Sequence, residues 1–435
     1  MRIERTKLLT VLSEALDSVE KEFLGVTDHH AKRVALLCDR MAERLGMEEE
    51  ERSALVTAAL LHDSALTEYR EGYGGETVPL GALQGHCVVG EENLALVPGA
   101  VSRNFVLYHH ERADGKGAFG KTAEETPLGA QLIHIADQLD RCHPVGRTDC
   151  GKLKAFVERG RRSLFAENVA DLALSVLTEE LLQSLSDAEI ESASPAVADV
   201  PCETDLRDLA KLFARIIDYK SSFTKAHSLG VAEKAERMAQ HYGWDSATTE
   251  KLYCAGALHD IGKLMVDKDV LEKAGKLDEE EYRHIQSHAA ETFRLLSKLE
   301  SLGQITPWAS QHHEKLNGKG YPMGLTAAEL DEKSRLLACL DIYQALTENR
   351  PYKAGMSHAK AISILRELAE KGELDAAITE EIDRVFHVEG EEEAAFKTAL
   401  FRCSVCGHIY EGDTMPVPYL CPVCGQRETA FLRIR

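Results

Sequence analysis

The chain is 435 residues long, 44% apolar and 28% charged, a globular composition with room for about two or three domains. Its 51 Lys and Arg stand against 72 Asp and Glu, a formal charge of −21, which excludes general binding of nucleic acid polymers because a phosphate backbone is gripped by clustered cations. No apolar run approaches the ~20 residues of a membrane span and the N-terminal residues lack the apolar core of a secretion signal, so a cytoplasmic location without membrane contact is expected.

Taken in chain order, the sequence repeats itself. After His30, the residues Val34, Leu37, Met41 and Leu45 recur at helical spacing, and Leu61-His62-Asp63 follows. His86, the pair His109-His110 before Glu111, and Asp137 come next. The stretch 186–205, rich in Ser, Ala, Asp and Glu with Pro195 and Pro201, reads as a linker. Beyond it the same order returns as His227, with Val231, Ala235, Met238 and Tyr242 at helical spacing, then Leu258-His259-Asp260, His288, His312-His313-Glu314 and Asp341. In both halves the histidine of Leu-His-Asp lies 32 residues past the leading one, His62 past His30 and His259 past His227. The chain is therefore a tandem duplication. Between landmarks the pattern is helical, as in 359–371, and an acidic connector at 388–395 precedes a cysteine cluster. The expected organisation is 1–195, 196–395 and 396–435, mainly all-α with a small metal-bound β ribbon at the C-terminus.

Imidazole and carboxylate together suit Zn, Mn, Fe, Co or Ni, and an adjacent His-Asp pair can supply a terminal and a bridging ligand. The second copy offers seven such residues, His227, His259, Asp260, His288, His312, His313 and Asp341, more than one catalytic metal ordinarily takes. Two ions about 3.5–4 Å apart would suit in-line attack on phosphorus, and hence phosphoester hydrolysis. His241, His284, His358 and His387 stand outside the repeated pattern and read as ordinary core or surface histidines.

The runs His259-Asp260-Ile261-Gly262-Lys263 and His312 to Gly320-Tyr321-Pro322, followed by Asp341 and Asn349-Arg350-Pro351-Tyr352-Lys353, closely resemble the HD-GYP family of phosphodiesterases across residues 205–385. The resemblance implies an all-helical HD fold, an iron or manganese centre, and hydrolysis of cyclic dinucleotides, chiefly cyclic di-GMP. It implies that Asp260 bridges the metals and that His227, His259, His288, His312, His313 and Asp341 complete their shells. Lys263 would contact the substrate phosphate, Arg350 and Lys353 would grip the dinucleotide, and Tyr321 would lie against a base. Trinuclear members carry a Glu four residues before the leading histidine, where this chain has Phe223. Two ions, and the linear dinucleotide pGpG as end product, are therefore expected.

The first copy keeps all seven ligand positions, His30, His62, Asp63, His86, His109, His110 and Asp137, but not the residues that would handle substrate. Leu66 answers Lys263, Gly117-Ala118-Phe119 answers the Gly-Tyr-Pro triplet, and Gly146, beside Arg147, falls opposite Arg350. A degenerate HD domain that still binds metal and serves as a regulatory or accessory copy is expected.

At the C-terminus Cys403 and Cys406, then Cys421 and Cys424, form two C-x-x-C pairs that present four thiolates to one ion. The pattern resembles the rubredoxin-like domain that ends rubrerythrins, which implies iron, with structural zinc as the alternative. Iron there would allow redox regulation of the hydrolase and a redox or signalling protein partner. Two rival functions follow from the same residues: an HD-type di-iron oxygenase, and a non-catalytic sensor of cyclic dinucleotide or redox state.

Overall fold

The computed structural model of the protein describes residues 5–66, 80–97, 100, 103–193, 195, 206–220, 227–273, 275–349, 354–387, 399–403, 409–412, 427 and 431–433. Helices dominate. The first copy contributes α1 (Arg5–Leu24), α2 (His30–Leu45), α3 (Glu49–Leu60), α4 (Leu80–Ala95), α5 (Leu128–Cys142), α6 (Cys150–Gly160), α7 (Glu167–Val176) and α8 (Glu179–Ser184). The second contributes α9 (Leu206–Lys220), α10 (His227–His241), α11 (Ser246–Leu258), a 3-10 turn (Ile261–Met265), α12 (Lys268–Leu271), α13 (Glu279–Ser297), α14 (Ile305–Ser310), α15 (Glu332–Thr347), α16 (His358–Glu370) and α17 (Ala376–Phe386). Among the described residues no helix is long and apolar enough to cross a membrane.

Local chemistry sets the helix ends that matter for the site. The carboxylates of Asp245 and Asp331 accept the N–H groups of Thr248 and Ser334 at 2.8 Å and so start α11 and α15. A reciprocal capping box between Asp278 and Glu281 starts α13. At the head of α2, Asp17 accepts the Ala31 N–H at 2.8 Å. At the head of α10, Asp218 accepts the Ser228 N–H at 3.1 Å and its hydroxyl at 2.7 Å. These paired contacts fix the leading histidines, His30 and His227, where their helices begin.

The two copies share one contiguous apolar core that runs from Leu8 to Ile382. Helix α1 sits at the junction: it packs on α2 and α3 of its own copy and on the 3-10 turn and α13 of the other. Across this junction Glu14 pairs with Lys298 at 2.8 Å and Glu22 with Lys220 at 3.3 Å. At the C-terminus β1 (Ala399–Cys403), β2 (Ile409–Gly412) and β3 (Phe431–Arg433) form an antiparallel sheet in the order β2-β1-β3. Phe401 is opposite Tyr410 on one side and Arg433 on the other. The expected β element is there; Cys403 ends β1, while Cys406, Cys421 and Cys424 lie outside the described residues.

Candidate metal and phosphoester site

In the second copy the seven expected ligands converge. His259 and Asp260 follow the end of α11, and His312 and His313 follow α14. His227, His288 and Asp341 are carried by α10, α13 and α15. A repeated backbone contact orients the rings: Nδ1 of His259, His288 and His312 meets the carbonyl of Gly256, Ile285 and Ala309, three residues back, at 2.7, 2.6 and 2.6 Å. An Nδ1–H held by a carbonyl leaves the Nε2 lone pair free and aimed inward. His227 is oriented differently, with Nδ1 3.0 Å from Glu348 Oε2 and Nε2 3.0 Å from Asp341 Oδ1.

Asp260 divides the cluster in two. Its Oδ2 lies 3.1 Å from His259 Nε2 and 3.9 Å from His227 Nε2, while Oδ1 lies 3.5 Å from His288 Nε2 and 3.8 Å from His312 Nε2. One oxygen therefore faces the group His227, His259 and Asp341, and the other faces His288 and His312 beside His313. His259 Nε2 and Asp260 Oδ1 are buried without a hydrogen-bond partner, and His288 and His312 turn their Nε2 atoms toward one another at 3.2 Å. Converging lone pairs and orphaned carboxylate oxygens fit divalent cations held by nitrogen and oxygen donors, and HD domains bind such ions.

The electrostatics agree with that donor set. Burial alone would raise the Asp260 carboxyl, yet His259, Lys263 and His288 hold it well below the ordinary range. Asp341 is likewise held below its ordinary range against burial, by His227 and His313. Burial pushes His288 down to about 3 and His312 well below its usual value, so both rings are neutral donors. Lys263 sets its Nζ 2.5 Å from Asp260 Oδ2 and stays an ammonium despite burial. It is the single expected phosphate contact within the described residues, since Arg350 and Lys353 lie outside them, as does Phe223.

The Gly-Tyr-Pro loop is built on Glu314, whose carboxylate accepts the N–H groups of Met323, Gly324 and Leu325 at 2.7, 3.1 and 2.9 Å. Gly320 is obligatory because a Cβ there would lie 2.4 Å from Lys315 N and 2.5 Å from Glu314 Cα. Tyr321 lies over the expected ligand His313, with ring centroids 4.8 Å apart. That places the ring at the mouth of the cluster, beside the imidazole with partial exposure.

The first copy reproduces the arrangement. Asp63 turns Oδ2 to His62 at 3.6 Å and Oδ1 to His86 and His109 at 3.4 and 3.6 Å. His110 meets His86 at 3.1 Å, and Asp137 lies 3.4 Å from His30. Leu66 is buried where Lys263 would stand. Gly117 still packs on Glu111, whose carboxylate accepts the Phe119 and Lys121 N–H groups.

Several site residues escaped the sequence reading. Glu348 and Asp140 hold Nδ1 of His227 and His30, the latter at 2.8 Å, and both lie downstream of a ligand aspartate at helical spacing, a signal that could have found them. Arg141 sets a guanidinium 3.5 Å from Asp137 and brings to the first copy a cation from a different element than Lys263 does. Cys87 lies 3.8 Å from His86 Nε2. Glu20 approaches from α1, and no local pattern marks it.

Comparison with known proteins agrees with this geometry. Models of the HD domain match residues 27–142 and 211–378, and a model of the rubrerythrin, rubredoxin-like domain matches 401–431. The chain is 32% identical over 392 residues to 3′3′-cGAMP-specific phosphodiesterase 1 of Vibrio cholerae, covering 86% of this chain and 90% of that protein. The chain belongs to the HD-GYP family of phosphodiesterases. Another HD-GYP relative, the cyclic di-GMP phosphodiesterase response regulator RpfG of Xanthomonas campestris, is 30% identical over 213 residues, 48% of this chain and 51% of that one. The crystal structure of a cyclic GMP-AMP-specific phosphodiesterase of V. cholerae, V-cGAP3, superposes with a TM-score of 0.61 at 22% identity and covers 87% of this chain and 97% of that one. That likeness is one of fold and extends across both copies.

Proposed function

We propose that this HD-GYP protein opens a 3′,3′-cyclic dinucleotide in its second copy, with Asp260 shared between two metal groups. The observation that carries the reading is the placement of the two Asp260 oxygens toward different histidine groups, with Lys263 at 2.5 Å. His227, His259, His288, His312, His313 and Asp341 would hold the ions, iron or manganese, which when bound would supply an activated water and neutralise phosphate charge. Lys263 would carry its ammonium to a phosphate oxygen, and Tyr321 would offer an aromatic face to a base. The water oxygen bonds to one phosphorus, the P–O3′ bond breaks, and the 3′-oxygen leaves with a proton. A linear dinucleotide with a 5′-phosphate is the product.

Cyclic di-GMP is one substrate of this class. A second, 3′3′-cGAMP, is supported by one observation: 3′3′-cGAMP-specific phosphodiesterase 1 of V. cholerae matches this chain along both copies. In this reading the organisation is 1–195, 196–395 and 396–435; the first copy binds metal and regulates, and the four-cysteine segment holds iron that links activity to redox state. The test is anaerobic turnover of both cyclic dinucleotides by the full chain and by the double variant His259→Ala, Asp260→Ala, with metal measured in each. Conversion to a linear product by the wild type alone supports the assignment. Equal conversion by the double variant would move catalysis out of the second copy.

A further inference from the structure

The first copy holds a further buried carboxylate. Glu20, on α1, is 1% exposed, and its Oε2 has no hydrogen-bond partner. That oxygen lies 3.8 Å from His30 Nε2, which is itself buried and unpartnered, as are His62 Nε2, Asp63 Oδ1 and Asp137 Oδ1. We propose that Glu20 is a metal ligand of the first copy, joining His30, His62 and Asp137 around a divalent cation that Asp63 shares with the His86 group. The inference rests on the reading of the first copy as a metal centre and gives that centre a third carboxylate.

The two copies differ here for a reason visible in the chain. Asp17 and Asp218 occupy equivalent places, since each accepts the N–H of the residue after a leading histidine, Ala31 and Ser228. Beyond Asp17 the helix continues to Leu24 and carries Glu20. The residue three positions past Asp17 is Glu20; three past Asp218 is Ser221, which has no carboxylate. An acidic residue at this point of α1 thus stands beside the first centre, where the second copy has a serine in sequence.

Glu22 provides the contrast. Two residues along the same helix, it meets Lys220 at 3.3 Å and accepts the Lys268 N–H at 3.3 Å. An acid on the junction face finds an ammonium. Glu20 points instead into a nest of imidazole lone pairs and other carboxylates, where a buried anion without a partner is costly. A cation with affinity for nitrogen and oxygen donors satisfies Glu20, His30 and Asp137 together.

The experiment is titration of the chelator-treated full chain with Mn(II), counting bound ion by electron paramagnetic resonance, for wild type, Glu20→Gln, Glu20→Asp and Asp63→Asn. The second copy and the four-cysteine segment are common to all four, so differences report the first copy. Glu20→Gln should weaken one Mn(II) equivalent at least tenfold, Glu20→Asp should recover part of it, and Asp63→Asn should abolish first-copy binding. If Asp63→Asn loses metal while Glu20→Gln binds as the wild type does, the Glu20 assignment is overturned and the first centre stands. If neither variant differs from wild type, the first copy binds no metal and both ideas fall.

Melting with and without metal separates ligation from packing. Glu20→Gln should match or exceed the wild type in chelator and gain less than the wild type when Mn(II) is added. An equal fall in both conditions would make Glu20 a packing group and overturn the proposal. Glu20→Asp, which keeps the charge on a shorter stem, gives the same comparison if the amide variant does not fold.

Discussion

Lys220 of the second copy reaches Glu22 of the first at 3.3 Å while donating to the Leu264 carbonyl at 2.5 Å. Leu264 directly follows Lys263 in the 3-10 turn, so a buried ammonium at the junction of the copies supports the segment that carries Lys263. Replacing Lys220 with Met removes a charged hydrogen bond and should cost about 1.5–3 kcal/mol, read as a lower urea midpoint. Because the turn loses its anchor, the Michaelis constant for cyclic dinucleotide should rise as well. A variant with wild-type stability and kinetics would show that this contact holds nothing in place.

Lys263 gives a cleaner test of the chemistry. In Lys263→Met the Asp260 carboxylate loses its ammonium neighbour but keeps both histidine groups. Metal content should therefore be retained while kcat/KM falls by about 10²–10³, the range found when a preorganised donor to developing charge is deleted. Metal analysis beside steady-state kinetics checks it. Loss of metal in step with activity would assign Lys263 a structural role.

Glu348 orients His227 through Nδ1 at 3.0 Å. Carboxylates that hold a ligand histidine in this way tune metal affinity by about 10–100-fold, and Glu348→Ala should show a loss of that size in competition with a chelator. Glu348→Gln keeps an acceptor oxygen and should lose less. Identical affinities for Ala and Gln would mean that the contact does not orient the ring.

Asp17 predicts a pH dependence. Burial outweighs the Ala31 N–H, His30 and Arg33 and pushes its carboxyl up to about 7, and its Oδ2 has no partner. The native state then keeps a proton that the unfolded chain releases near the ordinary value of about 3.9. Stability from this group is full at low pH and is lost as pH rises through about 7. In chelator, Asp17→Asn should exceed the wild type by a wider margin near pH 8 than near pH 5, by urea denaturation at both. A gap that does not change with pH would refute the shift.

Much of the site could be read in the sequence because the expected ligands were bound to recurring local signals. The Leu-His-Asp runs place expected ligands just past a helix end in both copies, as His312-His313 does in the second, and the repetition in order marked all fourteen positions. What could not be read is long-range. Glu20 reaches the first centre from a helix whose residues announce only an apolar face, and Asp140 meets His30 across 110 residues of chain. Helical spacing also shows that α1 has a face to bury but not that it buries part of it against the other copy. Glu111 and Glu314 lay in plain view beside their histidines, yet their role as loop anchors depends on backbone N–H groups that no pattern reveals.

That anchoring separates the shape of the loop from its contents. Glu314 gathers three successive N–H groups and Gly320 lets the chain press against Glu314; Glu111 gathers two, those of Phe119 and Lys121, and Gly117 presses against it in the same way. The frame survives in the first copy although tyrosine and proline are gone. What lies between the glycine and the first anchored N–H behaves as an interchangeable insert in a mount, Tyr321-Pro322 in one copy and Ala118 in the other. A duplicated gene could thus explore new base preferences, or abandon base contact altogether, without disturbing the histidines a few residues upstream.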